Sequence, residues 1–233
     1  LPWILVIGAK NSGKSSFINS LDLDQPMNGE ETGEDIYASP LVHWNFYNHG
    51  LLIEADGSLI LDAASLQSNE TDWRLLIDSF VKFRSKRPLD GIVVTIPYEE
   101  ISTDASYGLD DQLLRSESIY RKLWEIQRVT GMRLPIYLVV TKCDNIAGFD
   151  SLVKTIPAET LNSMLGWSND RTLDAGYQSR WIDQAFDTIL SGIYEAQQEL
   201  YTQGLESSDR DGIFLFPLSL QKLKDGIQRT IQK

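Results

Sequence analysis

The stretch VIGAKNSGKSSF, residues 6 to 17, constrains the fold more than any other part of this chain. An apolar run from Trp3 to Ile7 reads as a buried strand, and two glycines bound a short loop. The segment from about Lys14 to Leu21 then has the pattern of an amphipathic helix. A strand that enters a helix through such a loop belongs to a parallel α/β architecture. Gly8 to Ser15 also fits G-x-x-x-x-G-K-[ST], the spacing of loops that cradle phosphates.

The rest of the chain extends this architecture. LVHWNFY and LLIEA are extended segments separated by Asn48-His49-Gly50, a hairpin signal. Trp73, Leu76, Ile77, Phe80 and Phe83 recur at helical spacing, with Pro88 shortly beyond. GIVVTI and LPIYLVVTK read as strands buried on both faces. Between them, about Leu109 to Val129 forms a helix with Ile119, Leu123 and Ile126 on one stripe and Gly131 as its stop. TLNSMLGWSNDRTLDAGYQ has no clear period and reads as an irregular insertion with short helices. A helix from about Gln178 to Tyr201 follows, carrying Trp181, Ala185, Ile189, Ile193, Ala196 and Leu200. IFLFPL is expected to be a last strand, followed by a short helix. The expected fold is α/β and P-loop GTPase-like, with a mainly parallel sheet, one antiparallel edge strand and helices on both faces. It occupies one domain over residues 1–233, with a helical elaboration at about 150–205.

Charge and cysteine content exclude some classes. With 33 acidic and 21 basic residues the formal net charge is -12, which repels phosphate backbones and argues against nucleic-acid partners. Cys143 is the sole cysteine, so no internal disulfide forms, and the chain fits a reducing compartment. His43 and His49 have no second ligand at zinc spacing. The apolar runs are far shorter than the roughly 18 to 20 residues of a membrane-spanning helix. The start at Leu1-Pro2-Trp3, without an initiator methionine, leads us to expect a segment of a longer protein.

The glycine loop predicts a nucleotide site with specific roles. Backbone N–H groups from Gly8, Ala9, Lys10, Asn11, Ser12, Gly13, Lys14, Ser15 and Ser16 would surround phosphate oxygens at the positive end of the helix. Lys14 would reach the β- and γ-phosphates, and the Ser15 hydroxyl would bind Mg²⁺.

YLVVTKCD puts Thr141, Lys142, Cys143 and Asp144 at the carboxyl end of a strand, where open α/β sheets bind ligands. An N/T-K-x-D sequence there recognises guanine in GTPases: the aspartate accepts from N1–H and the exocyclic amine, and the lysine stem covers the base. An ordinary strand-end loop with charged residues is the competing reading. LFPLS, ending at Ser219, lies where GTPases have a further base-contacting loop.

LPWILVIGAKNSGKSS, RPLDGIVVTIP, RLPIYLVVTKCDNIAGF and IFLFPLS together resemble the cytoplasmic GTPase-like domain of IcmF/TssM proteins. The resemblance covers nearly the whole chain. It implies GTP/GDP and Mg²⁺ as cofactors, and a position on the cytoplasmic face of the bacterial inner membrane. It further implies that the membrane is reached only through segments outside this chain, and that the partners are membrane-complex and baseplate subunits of a type VI or type IVB secretion system.

One segment departs from the family. Where the family carries DTAGR, this chain has EADGS, Glu54 to Ser58. The metal-side acid becomes Glu54, Asp56 adds a negative charge near the γ-phosphate position, and Gly57 keeps an N–H that could sense that phosphate. Ser58 can neither position water as glutamine does nor neutralise charge as arginine does. Arginine fingers contribute on the order of 10³ to 10⁵ in rate, so intrinsic hydrolysis is expected to be slow. Thr32 and Ser39 are candidates for a second magnesium hydroxyl; Ser39 fits the family register better, and a solvated loop is an equal reading of each.

Two functions therefore fit: a guanine-nucleotide switch with weak or partner-dependent hydrolysis, in which Lys14 and Gly57 act on the phosphates, or a non-hydrolytic scaffold that binds other secretion subunits. The intact loop and TKCD favour the first. EADGS favours the second.

Overall fold

The short apolar run at the start of the chain forms the middle of a sheet. In the computed structural model, which describes residues 1–21, 23–24, 41–61, 66–102, 109–157, 165–203 and 207–231, β1 (Trp3–Ile7) pairs in parallel with β3 (Gly50–Ala55) and with β4 (Gly91–Pro97). The five strands run in the order β2-β3-β1-β4-β5. β2 (Val42–Tyr47) is the antiparallel edge expected from the hairpin, with Tyr47 opposite Gly50 across a two-residue turn. Leu5, Val6, Ile7 and every residue of β4 are buried, as continuous apolar runs in parallel strands require.

β5 (Ile136–Thr141) differs from expectation. It pairs with β4 alone among the described residues, and Ile136 and Tyr137 are half exposed. An edge position explains this: its apolar composition matches a central strand, yet among the described residues no strand pairs with its outer edge.

The described chain divides into two compact units, one of residues 1–97 and 114–141, the other of 98–113 and 142–233. In the first, α1 (Lys14–Asn19) follows β1, and α2 (Leu66–Phe83) buries Trp73, Ile77 and Phe80 as its period predicts. Phe83, the last apolar position of that pattern, is exposed instead, at the helix end. Trp3, Trp44 and Phe80 meet edge-to-face with centroids 5.8 to 6.4 Å apart. Asp90 fixes the entry to β1, accepting from Trp3 N–H at 2.7 Å and from Arg84 at 2.9 Å.

α4 (Leu109–Thr130), which follows the short α3 (Tyr98–Ile101), ends at Gly131, whose φ of +66° suits a left-handed stop. Ile126 is buried, but Ser116, Ser118 and Lys122 are buried with it. Ser118 donates to the Ile60 carbonyl, and the Lys122 ammonium lies 5.3 Å from the Trp73 ring centre. Both contacts compensate polar burial on a face where the sequence shows an apolar stripe.

The second unit is helical: α3, the start of α4, α5 (Phe149–Thr155), α6 (Arg180–Gln203), α7 (Ser207–Gln221) and α8 (Leu223–Ile231). Residues 165–179 hold no regular helix or strand, so the short helices expected there are absent from the described part of that insertion.

The expected last strand, IFLFPL, is a correction. These residues lie inside α7, with Ile213 and Phe216 buried one turn apart while Phe214, Leu215 and Leu218 are exposed. Pro217 has no N–H for the Ile213 carbonyl, and the buried Gln197 side chain donates to that carbonyl instead. A six-residue apolar run has the same composition in either state, so its period could not decide between them. Close packing fixes the helix: a Cβ on Gly148, before α5, would overlap the Gly212 carbonyl of α7.

Candidate functional site

The loop between β1 and α1 is held by local stereochemistry and by two threonines. Gly13 has φ +79° and Asn11 φ 63°, so the chain turns twice through left-handed conformations. Gly8 admits a close approach, since a Cβ there would overlap Thr95 Oγ1. Ser12 Oγ and Thr95 Oγ1 are 2.8 Å apart, and Thr141 Oγ1 donates to the Ser12 carbonyl at 2.6 Å. Thr141, read as the first residue of a base-binding motif, thus braces the loop from the end of β5.

Lys14 folds back beneath the loop. Its ammonium donates to the Gly8 carbonyl at 3.1 Å and the Ala9 carbonyl at 3.0 Å, and the residue is 6% exposed. Burial lowers its pKa from the ordinary lysine value, and the nearby charges of Glu54 and Asp56 oppose that shift only in part.

Ser15 and Glu54, both predicted as magnesium ligands, come together: Ser15 Oγ donates to Glu54 Oε1 at 2.7 Å. Among the described residues no group of three or more His, Cys, Asp or Glu could hold a metal by itself. One hydroxyl beside one carboxylate still fits Mg²⁺, which is usually held by one or two carboxylates with substrate phosphates and water. Ser39 and Thr32 lie outside the described residues.

Gly57 lies directly against the loop. A Cβ there would overlap the backbone N and Cα of Lys10, so only glycine lets this turn approach so closely. Asp56 accepts from Ser58 N–H at 2.8 Å, and its own N–H donates to the Leu41 carbonyl at 2.8 Å. Burial raises the Asp56 pKa, but the hydrogen bonds from Ser58 and the charges of Lys14 and Lys10 outweigh it and hold the carboxyl below its ordinary value. Lys10 and Asn11 are exposed in the loop, and Ser16 is exposed in the first turn of α1.

In the second unit, Lys142 has φ 56° and enters a 3₁₀ turn over Cys143–Asn145. Its ammonium is 3.6 Å from Glu99 Oε2, and Asn145 Nδ2 donates to Glu99 Oε1 at 2.8 Å. Asp144 is exposed. Burial, followed by the Asp144 charge, pushes the Cys143 thiol up and leaves it protonated. Ser219 lies in α7, not in a loop after a strand, which removes the geometric basis for its predicted base contact. Sequence reasoning missed Thr95 and Glu99. A lone polar residue inside GIVVTIP could have flagged Thr95; Glu99 leaves no signal in spacing.

The IcmF-related N-terminal domain family matches residues 67–233. The chain belongs to this family. Its match takes in β4, the TKCD turn and the helices of the second unit, while the glycine loop precedes it. A curated relative, the type VI secretion system component TssM1 of Pseudomonas aeruginosa, is 23% identical over 97% of this chain. This IcmF-related chain spans 21% of that protein's length. Two solved structures of the cytosolic domain of the T. maritima FeoB iron transporter, in GMPPNP form and in GDP form II, are 16% and 14% identical to it. Each covers 99% of this chain and 98% of its own, at a TM-score of 0.27, too low for a shared fold to follow. No helix among the described residues is long and apolar enough to cross a membrane.

Proposed function

We propose that this chain is a guanine-nucleotide-binding switch domain of a type VI secretion membrane complex, with Mg²⁺ as cofactor and slow or partner-dependent GTP hydrolysis. The observation that supports this most is the geometry of the loop between β1 and α1: two left-handed residues, a lysine buried at its base, and the Ser15 hydroxyl on the Glu54 carboxylate. In this reading loop N–H groups and Lys14 bind the phosphates, Ser15 and Glu54 hold Mg²⁺ and its waters, and Lys142 and Asp144 recognise the base. Magnesium supplies charge neutralisation between the phosphates when bound. Hydrolysis is slow because Ser58 neither orients water nor neutralises charge. The domain works at the cytoplasmic face of the inner membrane, beside other secretion subunits.

A second reading, a scaffold without turnover, draws on a different surface. α2 and α4 border an open groove of about 760 Å³, where Leu75, Tyr120 and Trp124 are exposed beside Arg74 and Arg128. Equilibrium binding of labelled GTP and ATP, with and without Mg²⁺, separates the two. Magnesium-dependent binding that prefers GTP is expected; a folded chain that binds neither nucleotide would leave the scaffold.

A further inference from the structure

The turn that closes over the phosphate loop carries its own anion. Asp56 sits at the head of the 3₁₀ turn Gly57–Leu59, and that turn is fastened at several points. Leu59 N–H donates to the Asp56 carbonyl and Ile60 N–H to the Gly57 carbonyl, each at 3.1 Å, while Asp56 N–H donates to the Leu41 carbonyl. Gly57 is pressed on the Lys10 backbone, so the turn has no room to move toward the loop. The Ser58 N–H, which could otherwise serve a phosphate oxygen, is taken by the Asp56 carboxylate.

Gly57, the residue after this carboxylate, lies against the Lys10 backbone of the loop, and Lys14 of the same loop is the group expected to reach the terminal phosphates. A bound diphosphate would use the loop N–H groups and Lys14. A triphosphate would add a further anion on the side of the loop that Gly57 and Asp56 face, where like charges repel and one amide donor is already occupied.

We propose that Asp56 is a specificity-determining residue that selects nucleoside diphosphate over nucleoside triphosphate at this loop. The inference rests on the nucleotide reading above and adds a direction to it. Asp56 acts as an internal competitor for the terminal phosphate.

The test is a titration of the whole chain in Mg²⁺ with GDP and with the non-hydrolysable triphosphate GMPPNP, on wild type and on Asp56→Asn. Asparagine keeps an oxygen to accept from Ser58 N–H, so the turn should persist, and a thermal melt verifies that it does. Wild type is expected to bind GDP about tenfold or more tighter than GMPPNP, as one uncompensated like charge in a partly buried site implies. Asp56→Asn is expected to tighten GMPPNP by about tenfold while GDP stays within about threefold. Equal wild-type affinities would overturn the proposal, whatever the variant does. A variant that shifts GDP and GMPPNP in parallel would overturn it too, while leaving the nucleotide reading standing. Failure of GDP to bind wild type would remove that reading, and this inference with it.

Discussion

Ser15 Oγ donates to Glu54 Oε1 at 2.7 Å, tying the first turn of α1 to the end of β3. Glu54 also provides one of the two negative charges that offset the burial of Lys14.

Glu54→Gln should therefore affect metal and stability together. The amide oxygen can still accept from Ser15, but the charge is gone. Magnesium should no longer strengthen nucleotide binding, and stability should fall by about 1 kcal/mol as the Lys14 cation loses support. Calorimetric titration with and without Mg²⁺, beside chemical denaturation, measures both; an undiminished magnesium effect would exclude Glu54 from the metal site.

Lys14→Ala removes two hydrogen bonds, but it also removes a cation whose burial is unfavourable. The two effects oppose each other, and the melting temperature should stay within about 5 °C of wild type. Nucleotide affinity should drop by about 100-fold or more, since the charge facing the phosphates is lost. Equal affinities in wild type and variant would show that the loop binds no phosphate.

Gly57→Ala tests the close approach of the turn to the loop. The new methyl would meet Lys10 backbone atoms, which cannot rotate away as a side chain can. We expect a loss of about 1 to 3 kcal/mol on denaturation. An unchanged midpoint would mean that the turn is not packed on the loop in solution.

Asp90 gives a pH dependence with a definite sign. Burial raises its pKa, but hydrogen bonds from Arg84 and Trp3 N–H, with the charges of Arg84 and Arg87, lower it further than burial raises it. Its folded pKa thus lies below its unfolded value. The stabilisation is complete above about pH 4, the ordinary aspartate range, and is lost as pH falls through the lower folded pKa. Asp90→Asn should cost about 1 to 2 kcal/mol at pH 7 and flatten the acid limb of stability against pH. Parallel limbs for wild type and variant would remove Asp90 as its source.

Asp144→Asn separates base recognition from phosphate binding. A carboxylate accepts from guanine N1–H and the 2-amino group, while an amide offers one donor and complements the 2-carbonyl of xanthine. GTP affinity should fall and XTP affinity rise, by about 1 to 3 kcal/mol for each bond left unpaired in the ligand-covered site. Competition among GTP, ATP and XTP is the measurement, and an unaltered ranking would reduce TKCD to a strand-end loop.

Much of the first unit was legible in the chain because its signals are local. The two glycines of the loop answer to backbone angles and close approach at their own positions, and Asn48-His49 answers to the geometry of a two-residue turn. Trp73, Ile77 and Phe80 declare a helix face by spacing alone. The pairing of Ser15 with Glu54 was anticipated only as a shared role in holding a metal. That the two bond directly depends on the fold bringing together residues 39 positions apart in the chain.

Local stereochemistry and period thus carried the β1-loop-α1 unit, the hairpin and the long helices, since neighbouring residues alone satisfy or violate those rules. Tertiary packing decided the rest. IFLFPL became helix because Ile213 and Phe216 bury one turn apart and Gln197, from another helix, meets the carbonyl that Pro217 leaves open. β5 became an edge strand because no neighbour lies beyond it among the described residues, a fact its own apolar residues do not encode. Thr141 became a brace for Ser12, and Glu54 the partner of Ser15, through contacts whose strength depends on which distant atoms arrive beside them. Such contacts have no fixed spacing along a chain, and only the folded arrangement determines them.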